Sequence, residues 1–104
     1  MGIGLSILIP VYNWDVNAFV IELHKQACTL EIPFEILVYN DASPKQFVTD
    51  FSNLNGVRFK RLTKNIGRSG IRNVMASDAI YDRLLFLDGD SFPKQADFLS
   101  QYWY

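Results

Sequence analysis

Apolar runs of two kinds take turns along this chain of 104 residues, and that alternation narrows the fold to one class. GLSILIPV at 4–11 and FEILVY at 34–39 read as buried strands. Between them Val16, Phe19, Val20, Leu23, Ala27 and Leu30 recur at helical spacing, so the first unit is strand, helix, strand. Pro44 opens a second, short helical stretch with Phe47, Val48 and Phe51 on one side. In VRFKRL at 57–62, Val57 and Phe59 alternate with Arg58 and Lys60, the pattern of a partly exposed edge strand. A third helix follows Gly67 to Gly70, with Ile71, Val74, Met75 and Ala79 as its inner face. LLFLD at 84–88 is an unbroken apolar run, which predicts a strand covered on both faces. Ser91 and Pro93 mark a last helix start, which brings Phe98, Leu99, Tyr102 and Trp103 close together. The expected fold is α/β: a mostly parallel sheet of about four strands with right-handed crossovers and helices on both faces.

Bulk composition limits what such a fold can meet. One domain, residues 1–104, accounts for the length, and 49% hydrophobic residues supply a single core. Ten basic against eleven acidic side chains leave a formal charge of −1, so there is no basic surplus for nucleic-acid phosphates or an anionic membrane. The run from Ile3 to Val11 is too short to span a bilayer and lacks a basic flank. The single cysteine, Cys28, cannot form an internal disulfide, which fits a reducing compartment. His24, four residues earlier on the same helix face, gives only two candidate ligands, too few for a metal site.

In parallel sheets, ligands bind beyond the carboxyl ends of the strands. Those ends carry Pro10-Val11-Tyr12-Asn13, Asn40-Asp41-Ala42-Ser43, Asn65-Ile66-Gly67-Arg68 and Asp88-Gly89-Asp90, four polar clusters on one edge. Two carboxylates about 5 Å apart repel by ~3 kcal/mol at an effective dielectric near 20, and a divalent cation reverses the sign. Oxygen ligands of this kind suit Mg²⁺ or Mn²⁺ bridging one or two carboxylates to a diphosphate. Tyr12 can stack on a planar ring, and Asp41 can accept a hydrogen bond from a base N–H. Arg68 and Arg72 stand at the start of the third helix, where free backbone N–H groups favour anions. Taken singly, each feature has a plain reading: a turn, a half-buried tyrosine, an Asx-turn before Pro44, a solvated helix face. Jointly they describe a base pocket, a diphosphate cradle and a metal site.

SILIPVYN at 6–13, YNDASP at 39–44, NIGRSGIRN at 65–73 and FLDGD at 86–90 resemble, in order, the signatures of family-2 glycosyltransferases with the GT-A fold. The resemblance covers nearly the whole chain. It implies an inverting transfer of sugar from a nucleotide-diphosphate sugar, a UDP-sugar first, to a saccharide or lipid-linked acceptor hydroxyl. It also implies that Pro10 and Tyr12 border the nucleoside, Asp41 binds the base N–H, and Arg72 binds or orders the donor. Asp88 and Asp90 match the family's DxD motif, with Asp90 on the metal and Asp88 nearer the ribose or sugar, sharing Mn²⁺ or Mg²⁺.

Two departures stand out. The family's two acids and a glycine are replaced by Asn40, Asp41 and Ala42, so one acid is missing and the turn is expected to change. The sequence also ends at Tyr104, soon after the metal motif, whereas the family's acceptor half and general base come later. No catalytic base is therefore expected here. The chain reads as a donor-binding half, weak or inactive alone, with self-association expected through Phe98, Tyr102, Trp103 and Tyr104. A cytoplasmic setting, at the membrane face in a longer protein, goes with the family. Two alternatives stay open: a non-enzymatic α/β nucleotide-binding or protein-contact module, and, from LFLDGDSF, a haloacid-dehalogenase-like phosphatase fragment.

Overall fold

The computed structural model describes residues 2–44, 49–88 and 99. Its elements run β1 (Gly2–Val11), α1 (Asn17–Cys28), β2 (Phe34–Asn40), β3 (Val57–Arg61), α2 (Gly67–Asp78) and β4 (Tyr81–Phe86). The strands form one sheet in the order β3-β2-β1-β4, and every pairing is parallel. Leu8 stands opposite Leu37 on one side and Phe86 on the other.

Side-chain alternation divides the sheet into two cores. Leu5, Ile7, Ile9 and Val11 of β1, with Ile36 and Val38 of β2, pack under Val16, Phe19, Val20, Leu23, Ala27 and Leu30. Those six are the helical positions that the spacing picked out. On the other face Leu8, Leu37 and Tyr39 pack under Ile71 and Met75 of α2 and Ala79 just after it. Each Val, Leu, Ile, Phe or Met side chain so buried contributes about 1.5–3 kcal/mol.

The run at 84–88 needs one correction. Leu85 and Leu87 join the α1-side core while Leu84 and Phe86 join the other, so both faces are covered as expected. All four are nevertheless only half-buried, because β4 is an outer strand with no further strand beside it among the described residues. The strand also starts three residues earlier than the apolar run, at Tyr81.

The helical stretch expected after Pro44 falls mainly on residues 45–48, outside the described residues. Residues 49–51 are not helical, and Phe51 is buried, its ring centroid 6.3 Å from that of Phe59. The last expected helix, with Phe98, Tyr102, Trp103 and Tyr104, also lies outside them, apart from Leu99. Leu99 is fully buried, and its N–H donates to Gln26 Oε1 at 2.9 Å. No helix among the described residues is long and apolar enough to cross a membrane.

Among the described residues, the buried polar side chains on the α2 face are all hydrogen-bonded. Glu35 is buried and accepts from Ser6 Oγ at 2.7 Å, Ile80 N at 2.8 Å and the Arg58 guanidinium. Apolar periodicity gave no hint of this buried carboxylate, which ties three strands together at the amino end of the sheet. Tyr39 is buried with Lys60 Nζ 5.6 Å from its ring centroid, and its hydroxyl donates to Asp78 Oδ2 at 2.6 Å.

Burial, and then the bond to Asp78, push the Tyr39 hydroxyl from 10.0 up to about 12. The protonated form is thus favoured by the fold. The stability it contributes is complete below about pH 10 and is lost as pH rises through about 12. We expect denaturant titrations to show Tyr39→Phe less stable at neutral pH but with a shallower decline between pH 10 and 12 than the unsubstituted protein.

Candidate functional site

At the carboxyl edge, the ends of three strands are drawn together by one loop. The Asp41 N–H donates to Val11 O at 2.9 Å and Leu62 N to Asn40 O at 2.9 Å, extending the ladder past the strand ends. Ser43, fully buried, donates its hydroxyl to Asn40 Oδ1 at 2.7 Å and accepts from Asn13 N at 2.8 Å. Its own N–H reaches the same Asn40 oxygen at 2.9 Å. The residue that stands where an acid was expected therefore serves as the acceptor that shapes the turn.

A change in the turn was expected where Ala42 replaces the family's glycine. Ala42 has φ 57°, the left-handed conformation that a glycine adopts without cost. The asparagine-serine bonds hold the alanine there, so Asp41 keeps its place.

Asp41 is buried, and its carboxylate closes the start of α2. Oδ1 accepts from Ile66 N at 2.8 Å, and Oδ2 accepts from Gly67 N at 3.0 Å and Asn65 Nδ2 at 3.1 Å. Two of the backbone N–H groups expected to be free at this helix end are thus taken. A carboxylate has about four acceptor positions, so one remains for a further donor. Gly67 has φ 82°, and a side chain added there would meet nothing within 4 Å. The glycine is needed for backbone conformation, and it faces open space.

That space is a cavity of about 340 Å³ lined by Pro10, Val11, Tyr12, Asp41, Asn65, Gly67, Arg68, Ile71 and Asp88. The order β3-β2-β1-β4 puts the reversal of strand order between β1 and β4, whose ends flank this opening. Tyr12 is half exposed and offers a ring face, while Pro10, Val11 and Ile71 make the wall apolar. Asp88, 51% exposed at its side chain, meets Arg68 Nη2 at 3.5 Å.

Pro10, Tyr12, Asp41 and Asp88, all singled out in the sequence, are brought together here. Arg72 is not: its guanidinium lies 4.2 Å from the centroid of the Phe86 ring, beneath the segment that leads to Asp88. Asp90 lies outside the described residues. The lining also includes Asn65 and Gly67, which the polar cluster 65–68 marked without a specific role, and Ile71, expected only as a core residue of the third helix. Elsewhere, His24 and Cys28 lie 3.8 Å apart at closest, with His24 edge-on to Phe34 and bonded to Asn55 O at 3.0 Å. No group of three metal-ligating side chains occurs among the described residues.

The sequence model of glycosyl transferase family 2 matches residues 6–102. No curated protein sequence matches the chain. Among solved structures, S. aureus TarS 1–349 superposes with a TM-score of 0.76 at 26% identity, covering 96% of this chain and 31% of that one. The same protein in complex with UDP-GlcNAc gives 0.76 at 25% identity, covering 96% and 30%. The mannosyltransferase PcManGT from Pyrobaculum calidifontis, in complex with GDP-Man and Mn²⁺, gives 0.72 at 17% identity, covering 96% and 31%. This last likeness shows the fold alone. The chain spans about a third of the length of these solved structures.

An alanine in the left-handed region costs ~1–2 kcal/mol, and glycine's freer unfolded chain returns part of any relief. Ala42→Gly is expected to raise unfolding free energy by ~0.5–1 kcal/mol in denaturant melts.

Proposed function

The chain belongs to glycosyl transferase family 2, and on that premise we propose that it is the donor-binding part of an enzyme that takes sugar from a nucleotide-diphosphate sugar. The carrying observation is the cavity at the carboxyl edge, where Tyr12, Asp41 and Asp88 meet on one wall. TarS has been solved with UDP and with UDP-GlcNAc, which supports a UDP-sugar as the first donor to test.

In this reading the base enters against Tyr12, whose exposed ring stacks on it, with Pro10 and Val11 closing the apolar side. The remaining acceptor position of Asp41 takes the base N–H. That pairing discriminates, because a base without a donor there leaves a buried carboxylate lone pair unmet. Arg72 acts as a positioning residue, its stack on Phe86 steadying the approach to Asp88.

The residues present fit a divalent cation of the kind that GDP-Man accompanies in PcManGT. Asp88 would offer an oxygen ligand, half exposed on the cavity wall, and its partner at 3.5 Å is displaceable. Asp88 and Asp90 would hold Mn²⁺ or Mg²⁺. When bound, the ion neutralises charge on the leaving diphosphate. We further propose that an acceptor hydroxyl, of a saccharide or lipid-linked saccharide, attacks from the opposite face with inversion at the anomeric carbon. No general base is assigned within this sequence. The unpaired, exposed Cys28 fits a cytoplasmic setting.

Calorimetric titration with UDP tests the reading. Binding is expected in the presence of Mn²⁺ and is expected to weaken by about tenfold or more when Asp88→Asn or Asp90→Ala removes a charged ligand. Equal binding with and without the metal, in all three proteins, would contradict it.

A further inference from the structure

The cavity has a charge arrangement that the nucleoside-diphosphate reading leaves unexplained. Among its described lining residues, Asp41 and Asp88 are acidic and Arg68 alone is cationic, so the wall leans negative where that reading puts the diphosphate. The usual remedy, free N–H groups at a helix start, is partly spent, since those of Ile66 and Gly67 donate to Asp41. Arg72 is stacked on Phe86 and does not line the cavity. The remaining described cationic group on the wall is the guanidinium of Arg68, in the first turn of α2.

Arg68 is poorly committed where it stands. It meets Asp88 by one contact of 3.5 Å, and the two side chains are 72% and 51% exposed. A long, solvated, single-contact pair contributes little to stability and is easily exchanged. A divalent cation on Asp88 would displace the guanidinium, and the excess of negative charge on the described lining would be removed. Arginine then offers the planar donor pair that matches phosphate oxygens.

We propose that Arg68 is a diphosphate-binding residue held on Asp88 until metal and nucleotide arrive, an assignment that rests on the nucleoside-diphosphate reading above. Two consequences separate it from a structural role. The guanidinium and the cation compete for Asp88 when no nucleotide is present, and they cooperate once a diphosphate is.

The test is calorimetry on the protein and on Arg68→Gln and Arg68→Lys, with Mn²⁺ alone and then with uridine, UMP and UDP in Mn²⁺. In Arg68→Gln we expect uridine affinity unchanged, UDP affinity lower by about tenfold, and Mn²⁺ alone bound several-fold more tightly. Arg68→Lys, which keeps the charge but not the fork, is expected to recover part of the UDP affinity. Unchanged UDP binding in Arg68→Gln, or an equal loss for uridine and UDP, would overturn the proposal while the nucleotide site stands. Unchanged Mn²⁺ affinity would overturn the competition for Asp88. If the unsubstituted protein melts cooperatively yet binds neither UDP nor GDP, this proposal and the reading beneath it both fall.

Discussion

The carboxylate of Asp41 is the interaction on which the carboxyl edge depends. A buried charge without partners costs several kcal/mol, so a fold that buries one must bring donors to it. Here the donors are the N–H groups of Ile66 and Gly67 with the amide of Asn65, and supplying them fixes where α2 begins. From that start the helix runs back across the sheet, with Ile71 and Met75 on Leu8 and Leu37. One wall of the cavity is therefore a by-product of satisfying one side chain at the end of β2.

The loop around Asp41 departs from the family pattern and still holds that carboxylate against the start of α2. Asn40 is neutral where an acid is usual, yet its amide oxygen takes two bonds from Ser43 and shapes the turn. Ala42 bears the left-handed strain that glycine would avoid. Ser43 in turn accepts the Asn13 N–H and so joins the ends of β1 and β2. The polar residues of this edge hold one another first, and what they leave over faces the cavity: the ring of Tyr12, one acceptor position on Asp41, and Asp88 with Arg68.

Much of this was legible in the sequence because it follows from periodicity. The six α1-side positions from Val16 to Leu30 are all buried, and the alternation of Val57 and Phe59 with Arg58 and Lys60 correctly marked an outer strand. The meeting of Pro10, Tyr12, Asp41 and Asp88 followed from the rule that strand ends share an edge. Pairwise side-chain choices were not legible. Nothing in spacing says that Asp41 spends its lone pairs on α2, that Glu35 is buried between Ser6 and Arg58, or that Arg72 lies on Phe86 while Arg68 faces the opening. Those depend on which groups the crossovers bring within reach, and separations of 14 or more residues hide them. The half-exposure of Leu84 to Leu87 was missed because an apolar run reports covered faces and says nothing about a lateral edge that, among the described residues, no strand covers.

The central claim is that this edge is a nucleoside-diphosphate site. Backbone amide chemical shifts of the ¹⁵N-labelled protein, followed by NMR through a titration with UDP and Mg²⁺, test it most directly. Saturable shifts at Tyr12, Asp41, Gly67, Arg68 and Asp88, with Gly4, Glu35 and Ile80 at the amino edge unmoved, are the predicted result. Shifts centred on the amino edge, or none at saturating nucleotide from a folded protein, would contradict it.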